Sequence, residues 1–359
     1  MKISYSAMSF LCFMAASPLT FAKDIQGMTF SHQDWEVSCS NTGTCRAAGY
    51  QDDRSENMPA SILLTRKAGA KQPIQLQFAL ANGERTLDKT KLNNIHLYIN
   101  AEDLGALTVD GSELPLMGTL SQPQVKGLLQ YAAKNVNIVF KNADYSWTIS
   151  DQGMTATLLK MDDFQQRVGT LGALIKKGAL SEANVLMPQP KLRVKKVNTA
   201  MRPYRTLRPQ TQQYLALHKV LMAAHAKNQA TEEFCEGIYG ENGVQPQKIE
   251  LYKLSNQKVL ATTLCWRGAY NEGYGAWVID QSLQGKAHLV TESASDFAVG
   301  EISSAQKGRG IGDCWALNEW IWNGKSFIQT LNRSTGLCKG VAAGGVWNLD
   351  LIEAVAKSD

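Results

Sequence analysis

From residue 35 onward the apolar positions fall into short alternating runs. Trp35 to Cys39, Cys45 to Tyr50, Ser61 to Arg66, Ile74 to Ala79 and Leu97 to Ile99 are separated by Gly, Pro, Asn and Asp. A period of two between such breaks predicts strands of an antiparallel sandwich or barrel, because alternate strand side chains face opposite sides. Trp35, Val37 and Cys39 run into Ser-Asn-Thr-Gly-Thr, and Cys45 opens the return, which reads as a hairpin. The period then lengthens. Ser121 caps a helix with Val125, Leu128, Leu129 and Ala132 on one side, and a second helix from Met154 carries Leu158 and Met161, with Ser150 and Asp151 as suitable caps. Val136 to Phe140 and Tyr145 to Ile149 read as strands between them, so this half is α+β.

Pro209 to Lys227 has Tyr214, Leu217, Leu221 and Ala224 at helical spacing. Before it, Lys191 to Val197 alternates charged and apolar residues, as a lysine-guarded edge strand does. The chain then returns to strands: Ile249 to Leu254, Val259 to Trp266, Gly275 to Ile279 and Ala287 to Thr291. A hairpin follows, Cys314 to Trp322 and Ser326 to Leu331 around Asn323-Gly324, the strongest short hairpin signal. The expected fold class is α+β, mostly β: two disulfide-stapled antiparallel β domains with a few helices and a basic helical linker.

Charge marks the divisions. Residues 23–182 carry 16 Lys/Arg and 17 Asp/Glu, residues 183–231 carry nine and none, and residues 232–359 carry 11 and 15. The basic, proline-containing middle segment therefore reads as a linker between an N-terminal unit, 23–182, and a C-terminal unit, 232–359. With 44% apolar and 19% charged residues both units can bury cores, which excludes global disorder. After the N-terminus no apolar stretch reaches the roughly 18 residues of a membrane span.

Residues 1–22 read as a secretory leader, with Lys2 at its start, Ile3 to Ala16 as the apolar stretch and cleavage expected after Ala22. Cys12 would leave with it. The remaining Cys39, Cys45, Cys235, Cys265, Cys314 and Cys338 point to disulfides in an oxidising compartment, the periplasm of a Gram-negative bacterium or the exterior. Six cysteines allow 15 pairings; neighbours are expected to pair, Cys39 with Cys45, Cys235 with Cys265 and Cys314 with Cys338. A zinc site is disfavoured, because there is no C-x-x-C pair and the five histidines are scattered.

Trp35-Glu-Val-Ser-Cys39 with Cys45-Arg-Ala-Ala-Gly-Tyr50, Leu159-Lys-Met-Asp-Asp163 with Gln166-Arg-Val-Gly-Thr170, Cys265-Trp-Arg-Gly-Ala-Tyr-Asn271, and Gly312-Asp-Cys314 with Trp320, Trp322 and Cys338 resemble the exported bacterial family called domain of unknown function 1176. The resemblance runs through nearly the whole chain beyond the leader. It implies a six-cysteine periplasmic protein and brings no established activity or catalytic residues. The opening hairpin also resembles, more weakly, exported proteins of the invasion-associated locus B type.

No catalytic motif stands out. Ser255 to Lys258 and Ser304 to Lys307 have Ser-x-x-Lys spacing but lie in turns between strands, and G-x-S-x-G and H-E-x-x-H are absent. Gly308-Arg-Gly-Ile-Gly312 leads into a cysteine-bearing strand rather than the helix a phosphate cradle needs. His218 and His225 share a helix face about 10 Å apart and cannot chelate one metal. Asp162 and Asp163 point apart, and Arg167 is expected to pair with one of them.

Two candidate surfaces remain. In Gly268 to Trp277 the aromatic rings of Tyr270, Tyr274 and Trp277 are candidates to bind a glycan or peptide, while the other late tryptophans read as core volume. Lys191, Arg193, Lys195, Lys196, Arg202, Arg205 and Arg208 are candidates to hold an anionic polymer, without a module for specific nucleic-acid readout. The expectation is a binding module for an envelope component or another exported protein, with no catalytic residue, metal or cofactor and no assigned oligomeric state. The alternatives are an envelope hydrolase, in which His288 meets Glu292 or Asp313, and a structural or stress-related envelope protein.

Overall fold

The first half of the chain makes two antiparallel sheets that face each other across one core. The outer sheet runs in the order β1-β2-β3-β4-β5-β8, from β1 (Met28–His32), β2 (Trp35–Cys39), β3 (Cys45–Tyr50), β4 (Ala60–Arg66), β5 (Ile74–Leu80) and β8 (Leu116–Thr119). The inner sheet runs β10-β9-β6-β7, from β6 (His96–Ile99), β7 (Glu102–Ala106), β9 (Ile138–Lys141) and β10 (Ser146–Ile149). Alternation along β4 and β5 sends Ile62, Leu64, Leu76 and Phe78 inward against Leu97, Ile138, Phe140 and Trp147. The computed structural model describes residues 26–54, 57–225, 235–239 and 245–358. The expected leader lies outside the described residues, as does the side chain of His225.

Helices α1 (Gln122–Leu129) and α2 (Met154–Phe164) close this core. Ser121 and Gln124 form a reciprocal capping box on α1, satisfying amides that the first turn leaves open. The cap of α2 differs from expectation. Gly153 occupies it at φ 95°, and any side chain there would strike the His32 carbonyl, so close passage over the β1–β2 turn requires glycine. The expected cap Asp151 instead accepts the Val136 N–H at 2.9 Å.

Arg167 also differs from expectation. Its Nη1 lies 2.6 Å from Glu182 Oε1, not on either neighbouring aspartate. Asp162 is fully buried and accepts the amides of Leu174 and Ile175 at 2.6 and 3.0 Å, with Arg66 Nη1 3.9 Å from its other oxygen. Burial and the nearby Arg167 charge pull the Arg66 guanidinium down to about 10. Three charged side chains, Arg66, Asp162 and Arg167, are thus kept in the interior by one another, by backbone and by the half-buried Glu182.

The second half has two more sheets. One runs β12-β13-β14-β15-β16, from β12 (Arg205–Leu207), β13 (Ile249–Lys253), β14 (Lys258–Arg267), β15 (Glu272–Asp280) and β16 (His288–Ala294). The other runs β11-β21-β20-β19-β18-β17, from β11 (Leu192–Lys196), β17 (Asp296–Ala298), β18 (Glu301–Lys307), β19 (Trp315–Trp322), β20 (Phe327–Ser334) and β21 (Leu349–Ser358). Every pairing is antiparallel except β11 on β21. Val259, Ala261, Trp277 and Ile279 face helices α3 (Gln212–His225) and α4 (Glu236–Tyr239), while Leu260 and Ala276 face Phe297 and Ile302 of the neighbouring sheet. The segment 183–231, expected as a linker, thus supplies β11, β12 and α3 to these layers.

The halves join where residues 337–353 cross the outer face of the first sheet. Val341, Trp347 and Leu349 pack on Ala48, Tyr50, Leu63 and Ala79, and Trp347 Nε1 donates to Ser61 Oγ at 2.7 Å. Cystines Cys39–Cys45, Cys235–Cys265 and Cys314–Cys338 pair sequence neighbours, as expected. Cys235–Cys265 ties α4 to β14 and encloses a separation of 30 residues. Replacing both by alanine is expected to lower the unfolding free energy by about 3 to 4 kcal/mol, from the lost restraint on the unfolded chain, measured by urea denaturation.

Candidate functional site

With both faces of the β12–β16 sheet covered, its accessible backbone lies at the edges, and β16 is one of them. Two register shifts against β15 bend β16. Its last residues, Glu292 to Ala294, are buried, whereas His288 to Thr291 emerge between α3 and the β19–β20 hairpin. A cleft of about 500 Å³ opens there, walled by Val278, Leu289, Val290, Trp320 and Phe327. A second, of about 630 Å³, lies between β16 and Val220, Ala223 and Ala224 of α3. Both are lined by His288 and Leu289, so they flank this edge strand, one on its helix-facing side and one on its sheet-facing side, and together make the groove along β16.

Its apolar wall rests on an aromatic stack. The Phe327 ring lies 5.3 Å from Trp322 and 6.2 Å, edge-on, from Phe297, which in turn meets Tyr252 at 5.0 Å. Such pairs hold half-exposed rings in place. The rim is basic. Lys219 and Lys286 stand at the α3 end, and Lys258 and Lys325 at the hairpin end. Lys258 is paired with Asp280 at 2.6 Å; Lys219, Lys286 and Lys325 have no ion pair among the described residues. The groove therefore combines an apolar floor with positive charge not neutralised by the protein. Trp320 read as core in the sequence, because its distance from β16 in the chain gives no sign that the two strands form one wall.

The sequence-derived aromatic site is not assembled. Only Gly268 to Asn271 form a turn; Glu272 to Trp277 belong to strand β15, where positions 274 and 277 fall on opposite faces. Trp277 is fully buried against the helix layer, with Gly275 leaving room for its indole, so it offers no surface to a ligand. Tyr274 packs on the opposite face, and burial together with Glu272 pushes its hydroxyl pKa up. Tyr270 alone is exposed, at 46%, its hydroxyl donating to the Gly308 carbonyl at 3.3 Å.

The basic candidates are divided between two sheet edges. Lys191, beside β11, pairs with Glu353 and Lys196 with Glu301, each at 2.9 Å. Arg193 and Lys195 are exposed on β11, Arg205 donates from β12 to Gln213, and Arg202 and Arg208 are exposed beside it. His218 Nε2 lies 2.6 Å from the Ile238 carbonyl and stacks on Tyr214, a structural role. His288 has no hydrogen bond to Glu292 or Asp313, and neither Ser-x-x-Lys pair brings its serine onto its lysine: Ser304 to Lys307 lies within strand β18 rather than in a turn, with the Ser304 hydroxyl buried. Ser255 accepts from Trp322 Nε1 at 2.8 Å, and Lys307 lies over the Trp315 ring.

A family of proteins of unknown function, DUF1176, matches residues 29–352. The chain belongs to the DUF1176 family. A relative in Escherichia coli (strain K12), the uncharacterized protein YpfG, is 25% identical over 329 residues, 82% of this chain and 84% of its own. The invasion associated protein B of Bartonella henselae matches 39% of this chain and 99% of its own at 13% identity, with a TM-score of 0.26, too distant to carry an argument.

Among the described residues of this DUF1176 chain the ligand-type groups that converge are Asp313, Cys314 and Cys338. Both sulfurs are spent in a cystine, so they cannot bind metal as thiolates. Asp313 accepts from Arg309 Nε and Nη2 at 2.7 and 2.5 Å and from the Gly340 N–H at 2.6 Å. Burial pushes its carboxyl up, but these hydrogen bonds and the guanidinium charge outweigh it and hold the pKa below the ordinary carboxylate range. A lowered folded-state pKa gives stability that is present above the unfolded value and lost as pH falls through the folded one. The stability difference between wild type and Asp313→Asn is therefore expected to shrink as pH falls from about 5 toward about 2, read from urea midpoints across that range.

Proposed function

We propose that this protein is an exported binding protein of the Gram-negative periplasm whose ligand is an anionic amphiphile of the cell envelope, held in the groove along β16. One observation carries the reading: apolar surface on both sides of the β16 edge, Val220 and Leu289 on one and Val290 and Phe327 on the other, with Lys219, Lys286 and Lys325 at the rims without a carboxylate partner among the described residues. Apolar area contributes affinity for a hydrocarbon chain, and the lysines select the head group and steer its approach. The leader pattern and three formed cystines support an oxidising location outside the cytoplasm. Among the described residues no helix is long and apolar enough to cross a membrane.

Titration with a single-chain anionic phospholipid, followed by tryptophan fluorescence and calorimetry, tests the assignment. Binding is expected to be saturable and to shift tryptophan emission. Leu289→Ser and Lys325→Glu are each expected to weaken it about tenfold, as loss of about 1.4 kcal/mol requires. A zwitterionic analogue should bind more weakly. Equal binding by an acidic oligosaccharide lacking an acyl chain, or affinity unchanged in both variants, would refute the assignment.

A further inference from the structure

On the first half of the chain, apolar side chains point into solvent on a loop whose backbone is unusually well pinned. Leu171 and Leu180 are 73% and 64% exposed, and Val168 is 38% exposed. They are neighbours in space: Leu171 N–H donates to the Leu180 carbonyl at 3.2 Å, and Leu180 N–H to the Gly169 carbonyl at 3.0 Å. No described residue covers them. A cluster of this kind marks an interaction surface more often than a lone exposed leucine does.

The loop between them is held from below by the buried charges. Asp162 binds the Leu174 and Ile175 amides, and Arg66 donates to the Gly172 carbonyl at 2.6 Å. Arg167 reaches the Gly69 carbonyl at 2.6 Å. Isolated internal charges are costly unless fully paired, so this network is an expensive way to hold a loop whose apolar tip side chains face solvent. The geometry makes sense if the tip must stay presented, since a preordered surface loses little conformational freedom on docking.

Charge around the tip identifies what it meets. Lys176 and Lys177 lie on the loop, with the Lys176 carbonyl bonded to the Gly169 N–H. Lys67 and Lys71 lie on the adjoining turn, whose Lys71 N–H bonds Glu182 Oε2 at 2.8 Å. All four are exposed and have no ion pair among the described residues. Of the nearby acids, Asp162 and Glu182 are engaged with Arg66 and Arg167, which leaves Asp163 exposed. An apolar tip ringed by lysines matches an anionic lipid surface, with leucines entering the acyl boundary and ammonium groups at the phosphates. A second copy fits less well, because a self-complementary contact would bring the lysine rings together.

We propose that the Val168–Leu180 loop docks this protein on the surface of an anionic phospholipid bilayer. The proposal is independent of the β16 groove. The test is sedimentation of the disulfide-bonded protein with large vesicles of phosphatidylcholine, with or without phosphatidylglycerol, at low and physiological salt. Binding is expected only with phosphatidylglycerol, weaker at higher salt, and reduced at least tenfold in both L171S/L180S and K176E/K177E. These side chains are exposed, and an unchanged urea midpoint checks that the variants remain folded. The proposal is overturned if wild type stays in the supernatant with phosphatidylglycerol vesicles, or if both double variants sediment equally well. It is also overturned if L171S/L180S abolishes concentration-dependent self-association without changing vesicle binding, which would assign the patch to a second copy.

Discussion

A sheet covered on both faces can present only its edges, and that constraint locates the candidate site. Along β14 and β15, Val259, Ala261, Trp277 and Ile279 require the α3–α4 layer, while Leu260 and Ala276 require the neighbouring sheet. Both covers curve away beside β16, where its bulged first half is left between them. The same packing that stabilises the second half therefore makes its groove. The aromatic stack beneath Phe327 belongs equally to the core and to the wall.

The seam between the halves obeys a related rule. The first sheet fills its inner face with its own core, and its outer face is closed by the returning chain before β21. The polar groups displaced there are satisfied across the junction. Glu36 Oε1 accepts from the Tyr50 hydroxyl at 2.8 Å and from the Leu337 N–H at 2.7 Å. Burial pushes the Glu36 carboxyl pKa up, and the two hydrogen bonds only partly oppose it. Lys339 lies 2.8 Å from Asp34, so apolar contact and charge pairing register the same two elements.

Basic residues have three fates in this fold. Arg66 and Arg167 are internal and immobilise a loop. Lys191 and Lys196 are neutralised by carboxylates of the sheet that β11 joins. Lys219, Lys286 and Lys325 at the β16 groove and the lysines around Leu171 remain available to solvent and are placed beside apolar surface. That juxtaposition is what the proposed amphiphile recognition rests on: apolar contact contributes affinity, and charge contributes orientation and rate.

Features encoded by near neighbours were legible in the sequence. The alternation from Trp35 to Tyr50 specified the first hairpin, the Ser121–Gln124 spacing suited a helix start, and six cysteines in adjacent pairs anticipated the cystines. Long-range choices were not. Periodicity shows that a strand has two faces without showing what covers each, so Trp277 passed for a surface ring and Trp320 for core. Likewise Arg167 took Glu182 rather than the nearer aspartates, because its partner was decided by where the loop folds back beneath the sheet. The sequence by itself determined the elements, the covalent staples and the places where charge accumulates. Only tertiary packing decided which apolar faces remained uncovered and which lysines lay beside them, since burial depends on elements far apart in the chain.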